Sequence, residues 1–170
     1  MKALVVYESM FGNTETIARA IADGLSATFE VVLSDVRAIP PAHDVDLLVV
    51  GAPTHAWGLS RPSTRIDART KGTIRAGATE LGLREYLSLS PTLNGVAAAA
   101  FGTRVDRAWA GSAARKAHRE LRRLGCRMLA PAEDFAVTGT TGPLVEGEEK
   151  RAGRWAAELT AVLLTERHRV

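Results

Sequence analysis

A short polar turn near the start of the chain contains the residues best suited to chemistry. The turn follows an apolar run and consists of Ser9, Met10, Phe11, Gly12, Asn13 and Thr14. Hydroxyl and amide side chains donate hydrogen bonds over short distances, and a glycine lets the backbone approach a ligand closely. No lysine or arginine occurs between Ala3 and Ala18. The turn therefore predicts a phosphate site formed by neutral hydrogen bonds and the positive end of a helix dipole.

The residues on either side of this turn predict the elements that hold it in place. Before the turn, Ala3 to Tyr7 is apolar, which indicates a buried strand. After the turn, apolar residues recur at helical spacing, at Ile17, Ala18, Ile21, Ala22 and Leu25. A strand, a tight turn and a helix together present backbone N–H groups to a phosphate. The plainer alternative is a helix that begins after a buried strand, with Asn13 or Thr14 as its N-cap.

The rest of the chain alternates between predicted strands and helices. Strands are expected at 28–33, 46–51, 96–101 and 127–137, the last broken at Pro131. Helices are expected at 79–89, 112–124 and 146–165, with Trp155, Leu159, Val162 and Leu163 of the last helix facing inward. The nearly continuous apolar run at 46–51 is typical of a parallel strand covered on both faces. This alternation predicts an α/β doubly wound fold.

Two later loops follow predicted strands, at the edge where open parallel sheets bind ligands. The first contains Pro53, Thr54, His55, Ala56, Trp57 and Gly58. The second contains Phe101, Gly102, Thr103, Arg104, Asp106 and Trp109. Either tryptophan could stack on a flat aromatic ring; otherwise Trp57 covers the edge of the core and Trp109 begins the fourth helix. His55 is either an exposed loop histidine or a contact to a ligand.

The polar turn and both loops resemble the flavodoxin family. The run Ser-x-Phe-Gly-Asn-Thr at 9–14 is similar to the family's phosphate loop, Ser/Thr-x-Thr/Phe/Tyr-Gly-Asn-Thr. Pro-Thr-x-x-Trp-Gly at 53–58 and Phe-Gly-Thr at 101–103 are similar to its flavin loops. The resemblance covers the whole chain in element order but weakens after Thr103. Many flavodoxins place acidic residues and a tyrosine there, whereas this chain has Arg104 and Arg107.

The resemblance implies a flavodoxin-like three-layer sandwich with a five-stranded parallel sheet in the order 2-1-3-4-5. It also implies FMN as the cofactor, with its 5′-phosphate at Ser9 to Thr14 and its ring between the two later loops. No catalytic acid, base or metal ligand is expected. Positive charge at Arg104 and Arg107 would favour reduction of the flavin to its anionic form.

Residues 60–78 fit the family pattern least well. Their charged residues are mostly basic, namely Arg61, Arg65, Arg69, Lys71 and Arg75, with Asp67 as the acid. Long loops inside compact domains are usually functional or mobile. We expect a mobile basic lid or a docking site for an anionic partner, with a solvated surface loop as the alternative.

Length and composition exclude several classes of protein. A chain of 170 residues with 46% apolar and 24% charged residues is expected to form a single globular domain over 1–170. It has neither a run of 18 apolar residues nor a signal-peptide pattern, and its one cysteine, Cys126, predicts a buried thiol in a cytoplasmic protein. The net charge of +3 comes without any nucleic-acid-binding motif, so we expect no nucleic-acid partner.

The expected function is electron transfer, in which an FMN protein shuttles electrons between a reductase and an acceptor. The basic surface predicts redox partners with acidic docking surfaces. One alternative is an FMN-dependent oxidoreductase acting on NAD(P)H, a quinone or a porphyrinogen, which the basic segment and His55 favour. A weaker alternative is an interaction module that has lost FMN.

Overall fold

The computed structural model describes residues 1–56, 58–107 and 111–169. The strands are β1 (Lys2–Tyr7), β2 (Glu30–Asp35), β3 (Leu47–Pro53), β4 (Ala97–Val105), β5 (Arg127–Met128) and β6 (Glu133–Val137). The helices are α1 (Asn13–Leu25), α2 (Pro62–Ala68), α3 (Leu83–Leu89), α4 (Ala113–Arg123) and α5 (Glu148–Arg167), and a 3-10 turn spans Val36–Ala38. Trp57 and Trp109 lie outside the described residues.

The strands form one parallel sheet in the order β2-β1-β3-β4-β5, which confirms the expected topology. The short strand β6 also pairs with β4, farther along it than β5. The predicted break in the last strand is confirmed, because Pro131 lies between β5 and β6. Proline has no N–H to donate to a sheet, so the chain leaves β4 there and rejoins it two residues later.

Helices cover both faces of this sheet. In β1, Ala3, Val5 and Tyr7 pack with α1 and α5, whereas Leu4 and Val6 pack on the opposite side with α3 and α4. The alanines Ala97 to Ala100 of β4 are buried between the two helical layers. A Cβ at Gly24 of α1 would lie 2.9 Å from the Ala156 Cβ of α5, so glycine permits close approach of these helices. This is the three-layer arrangement that the resemblance implied.

Several boundaries differ from the sequence-based predictions. β2 begins at Glu30 rather than residue 28 and ends at Asp35, and α3 begins at Leu83 rather than residue 79. β4 continues to Val105 rather than ending at Phe101, because β6 pairs with Phe101 through Val105. In α5, Trp155, Leu159 and Leu163 face inward as expected, but Val162 is 38% exposed. Val162 falls outside the i, i+4 row formed by the three buried residues.

The basic segment is partly helical and contains a buried arginine. Residues Pro62–Ala68 form α2, and the Arg65 side chain is only 1% exposed. We call residues 60–82 the strap, because they run from the end of the loop at 53–58 to the start of α3. No helix in the described part of the chain is both long and apolar enough to cross a membrane.

Candidate functional site

The polar turn between β1 and α1 presents unpaired backbone donors. Gly12 is the N-cap of α1, and its φ of 101° lies in a region that residues with a side chain rarely adopt. No side chain caps this helix, so Asn13 and Thr14 do not act as the caps considered above. Within the described residues no acceptor is bonded to the N–H groups of Met10, Phe11, Asn13, Thr14 and Glu15. Free donors at a helix N-terminus form a site for an anion.

Hydrogen bonds from polar side chains fix the shape of this turn. The Gly12 N–H donates to Ser9 Oγ at 3.1 Å, which leaves the Ser9 hydroxyl proton available to a ligand. Asn13 Nδ2 donates to the carbonyl oxygen of Thr141 at 3.1 Å, and the Thr14 and Thr103 hydroxyls are 2.8 Å apart. The turn is therefore tied both to the loop after β6 and to the end of β4.

A cleft of about 260 Å³ lies beside the turn at the carboxyl edge of the sheet. Its size is slightly below the roughly 300–1,000 Å³ range of small-molecule sites. Eleven of the site residues predicted from sequence line it, namely Ser9, Met10, Phe11, Asn13, Thr14, Pro53, Thr54, His55, Ala56, Thr103 and Arg104. The strap adds Thr64, Asp67, Ala68 and Lys71, and the end of the sheet adds Val105, Val137 and Thr140. The structure thus brings the turn and both loops together.

Five further predicted site residues that the structure describes do not line this cleft. The Phe101 side chain is fully buried among Phe135 and Trp155, with ring centroids 6.3 and 6.4 Å away, so it belongs to the core. Gly102 is packed against α4, because a Cβ there would lie 3.1 Å from the Ala114 nitrogen. Gly12 belongs to the polar turn and Gly58 to the loop at 53–58, but neither lines the cleft. Asp106 lines a neighbouring cavity.

His55 occupies a tight turn at one side of the cleft. Its N–H donates to the carbonyl oxygen of Gly58 at 2.7 Å, and the Gly58 N–H donates back at 2.8 Å. Burial lowers the pKa of His55, and the charges of Lys71 and Arg65 lower it further, whereas a hydrogen bond with the Thr64 backbone opposes the shift. A histidine with a pKa below its usual value is neutral at pH 7. His55 therefore presents a neutral ring to the cleft.

Two cations also line the cleft, and the sequence of the turn alone does not indicate either of them. Arg104 comes from the extended end of β4, and its Nε lies 3.3 Å from Asp134 Oδ2, so part of its charge is compensated. Lys71 comes from the strap and is exposed. The basic run at 61–75 was a signal for such a residue, but the spacing alone did not indicate that it reaches the turn.

The strap lies directly against the phosphate turn. The Arg75 N–H donates to the carbonyl oxygen of Met10 at 3.0 Å, and the Arg75 guanidinium is ion-paired with Glu15 in the first turn of α1. Met10 packs with Ala68 and Ala78 of the strap in a small hydrophobic cluster. The strap and the turn therefore form one packed unit.

A buried polar network holds the other side of the strap. Arg65 donates to Ser60 Oγ at 2.9 Å and to both carboxylate oxygens of Glu85 at 3.1 and 3.2 Å. Next to it, Glu8 is only 2% exposed; its Oε2 accepts from the Leu83 N–H at 2.8 Å, and its Oε1 has no partner. Burial raises the pKa of Glu8, although the Ser60 hydrogen bond and the Arg65 charge oppose the shift. The members of this network lie far apart in the chain, so no local pattern in the sequence indicates it.

The thiol takes no part in this site, and the described residues form no metal site. Cys126 is buried on the α4 side of the sheet, as predicted, and burial raises its pKa to about 11. A thiol with so high a pKa is protonated and unreactive at neutral pH. No group of three or more histidine, cysteine, aspartate or glutamate side chains within the described ranges is arranged to bind a metal.

A doubly wound parallel sheet with an open turn and a cleft at its carboxyl edge is the architecture of the α/β proteins that bind nucleotides at a topological switch point. The sequence model of the family described as Flavodoxin matches residues 5–155, so the chain belongs to the flavodoxin family. Family membership implies a flavin cofactor, typically FMN. The unpaired amides and the Ser9 hydroxyl form a donor set that fits the phosphate of such a cofactor.

Solved structures share the fold at low sequence identity. A flavodoxin from the domain Archaea is 20% identical with a TM-score of 0.68, and the match covers 96% of this chain and 99% of that one. Oxidised Flavodoxin 1 from Bacillus cereus is 21% identical with a TM-score of 0.67, over 95% and 98% of the two chains. The Flv1 flavodiiron core from Synechocystis sp. PCC6803 is 20% identical with a TM-score of 0.60, and the match covers 98% of this chain but 36% of that one. No curated protein matches the chain.

Proposed function

We propose that this protein binds FMN and shuttles electrons between a reductase and an acceptor. The observation that supports this function best is the run of unpaired amides at the N-terminus of α1, which opens beside the cleft. When bound, FMN supplies the redox chemistry, since a flavin can accept and pass on one or two electrons. The protein supplies position and electrostatics.

The residues of the turn and both loops have separate roles in this proposal. The unpaired amides of Met10, Phe11, Asn13, Thr14 and Glu15 and the Ser9 hydroxyl hold the phosphate. Thr54, His55 and Ala56 on one side, and Thr103 and Arg104 on the other, contact the remainder of the cofactor and exclude water from it. The neutral ring of His55 adds no charge next to the flavin, whereas Arg104 adds a cation that Asp134 partly neutralises. None of these roles requires a catalytic acid or base.

Helix α4 offers a docking surface for an acidic redox partner. Its exposed side chains are mostly cationic, namely Arg115, Lys116, Arg119, Arg122 and Arg123. The helix begins beside the cleft, since the Ala113 N–H donates to Thr54 Oγ1 at 3.1 Å. A partner docked on this surface would lie close to the loop at 53–58 and its flavin contacts. Electrostatic steering of this kind predicts association rates that fall as salt increases.

An oxidoreductase that uses NAD(P)H remains a second candidate. Lys71 supports it, because an exposed ammonium at the rim of the cleft could also meet a substrate phosphate. This function differs from electron shuttling in one respect that can be measured. An oxidoreductase takes electrons from NAD(P)H directly, whereas an electron carrier needs a reductase.

Anaerobic stopped-flow spectroscopy of the FMN-loaded chain separates these functions. We expect NADPH alone to bleach the flavin slowly and a flavodoxin reductase with NADPH to bleach it quickly. Reoxidation by an electron-accepting protein should then slow in high salt. Rapid bleaching by NADPH alone would replace the carrier with the oxidoreductase, and a colourless chain without affinity for FMN would leave an interaction module.

A further inference from the structure

Lys71 lies where the strap passes over the phosphate turn. A Cβ on the next residue, Gly72, would lie 3.5 Å from Cε1 of Phe11 in the turn and 3.0 Å from Cγ2 of Thr141. Thr141 in turn accepts the hydrogen bond from Asn13. Lys71 itself lines the cleft together with Ser9, Asn13 and Thr14. The Lys71 side chain therefore lines the same cleft onto which the unpaired amides open, and its charge lowers the pKa of His55 at that cleft.

The charge of Lys71 is not compensated by another residue in the described part of the chain. No carboxylate there lies within ion-pair distance of it, although Asp67 lines the same cleft one helical turn earlier. Two other cations of the strap are paired, Arg65 with Glu85 and Arg75 with Glu15, and the exposed Arg61 and Arg69 do not line the cleft. An ammonium without a counterion at the rim of an anion site is suited to bind the anion.

Two sets of contacts hold the strap in place, so Lys71 is positioned before a ligand arrives. The Arg65 network anchors one end of the strap to Glu85 and Ser60. The Arg75 hydrogen bond to Met10 and its ion pair with Glu15 anchor the other end to the turn. Positioning a ligand group in advance reduces the entropy lost on binding.

We propose that Lys71 is a phosphate ligand of the bound flavin nucleotide, and that it makes the site selective for FMN over riboflavin. The inference rests on the proposed function, because it assumes that FMN occupies the cleft. In oxidised FMN the phosphate carries the negative charge, and riboflavin has no phosphate. A cation that binds this group therefore strengthens FMN binding and leaves riboflavin binding nearly unchanged.

The test is a set of calorimetric titrations of the full-length chain, freed of flavin, with FMN and with riboflavin. We expect Lys71→Met to weaken FMN binding about tenfold, as for a charge-assisted contact that is partly open to solvent. Riboflavin affinity should change less than about twofold, and Lys71→Arg should retain most of the FMN affinity. Lys150→Met is the matched control, because Lys150 is an exposed lysine in the first turn of α5 and does not line the cleft.

The outcomes separate this inference from the function on which it rests. A selective loss of FMN affinity in Lys71→Met, together with a weaker salt dependence than in the wild type, supports Lys71 as a phosphate ligand. Unchanged FMN affinity, or an equal loss for FMN and riboflavin, overturns it while FMN binding stands. Failure of the wild-type chain to bind either flavin overturns the proposed function itself.

Discussion

Replacing Arg65 with methionine should destabilise the chain by about 3 kcal/mol, because breaking a buried ion pair on one side costs roughly 3–5 kcal/mol. Arg65 is 1% exposed and donates to Ser60 Oγ, to both oxygens of Glu85 and, at 3.3 Å, to the Thr79 carbonyl oxygen. The Glu85 side chain is 28% exposed, so water can solvate part of its charge after Arg65 is replaced. The loss of stability should therefore lie at the low end of that range. The hydrophobic stem of methionine fills most of the same space, so the loss is mainly polar.

Urea unfolding followed by circular dichroism measures this change. With a slope near 2 kcal/mol per molar, within the usual range for urea, the midpoint should fall by about 1.5 M. Arg69→Met is the control, because Arg69 is an exposed arginine of the same strap and its loss should cost less than about 0.5 kcal/mol. Arg65→Lys keeps the positive charge but loses the planar guanidinium, so its urea midpoint should lie between those of Arg65→Met and Arg69→Met. Equal midpoints for Arg65→Met and Arg69→Met would refute the buried network as an anchor of the strap.

Three further changes test other parts of the structure. Burial raises the pKa of Glu8, so ionisation of Glu8 costs stability as the pH rises above the unfolded-state pKa near 4.5. The stability of Glu8→Gln relative to wild type, measured by urea unfolding from pH 4 to 8, should therefore increase with pH. A stability difference that stays constant over this range would contradict the prediction. Thr14→Val leaves the buried Thr103 hydroxyl without its partner at 2.8 Å and should cost about 1–3 kcal/mol in the same assay, whereas no loss would show that the contact contributes nothing. An uncompensated positive charge about 8 Å from the flavin would raise its midpoint potential by ~90 mV. Arg104→Ala should lower the midpoint potential by less than this, because Asp134 compensates part of the Arg104 charge. A redox titration in which the midpoint potential is unchanged or more positive would reject this prediction.

The first strand, the turn and α1 were predictable because their signals are local. An apolar run, a glycine and a helical repeat lie within one short stretch, and all five predicted apolar positions of α1 are buried. The break at Pro131 was predictable for the same reason, since proline interrupts a sheet wherever it occurs. The order of the strands came from the resemblance to a family rather than from any residue pattern.

The strap and the length of β4 depend on contacts between distant residues, so the sequence did not indicate them. Arg65 looks like a surface residue in a basic run, and its burial requires Glu85, twenty positions away, to be close in space. β4 extends to Val105 because β6 supplies partners for it, and β6 exists as a separate strand only once the chain has passed Pro131. Lys71 likewise reaches the turn through the fold of the strap.

Nitrogen–proton correlation NMR of the full chain tests directly whether the main-chain amides at the start of α1 hold a phosphate. Adding FMN should produce large shifts at the amides of Met10, Phe11, Asn13, Thr14 and Glu15. Riboflavin should shift the residues of the two later loops but leave these five amides almost unchanged. If FMN binds while the five amides keep their free positions, or if both flavins shift them equally, the phosphate is not held by this turn.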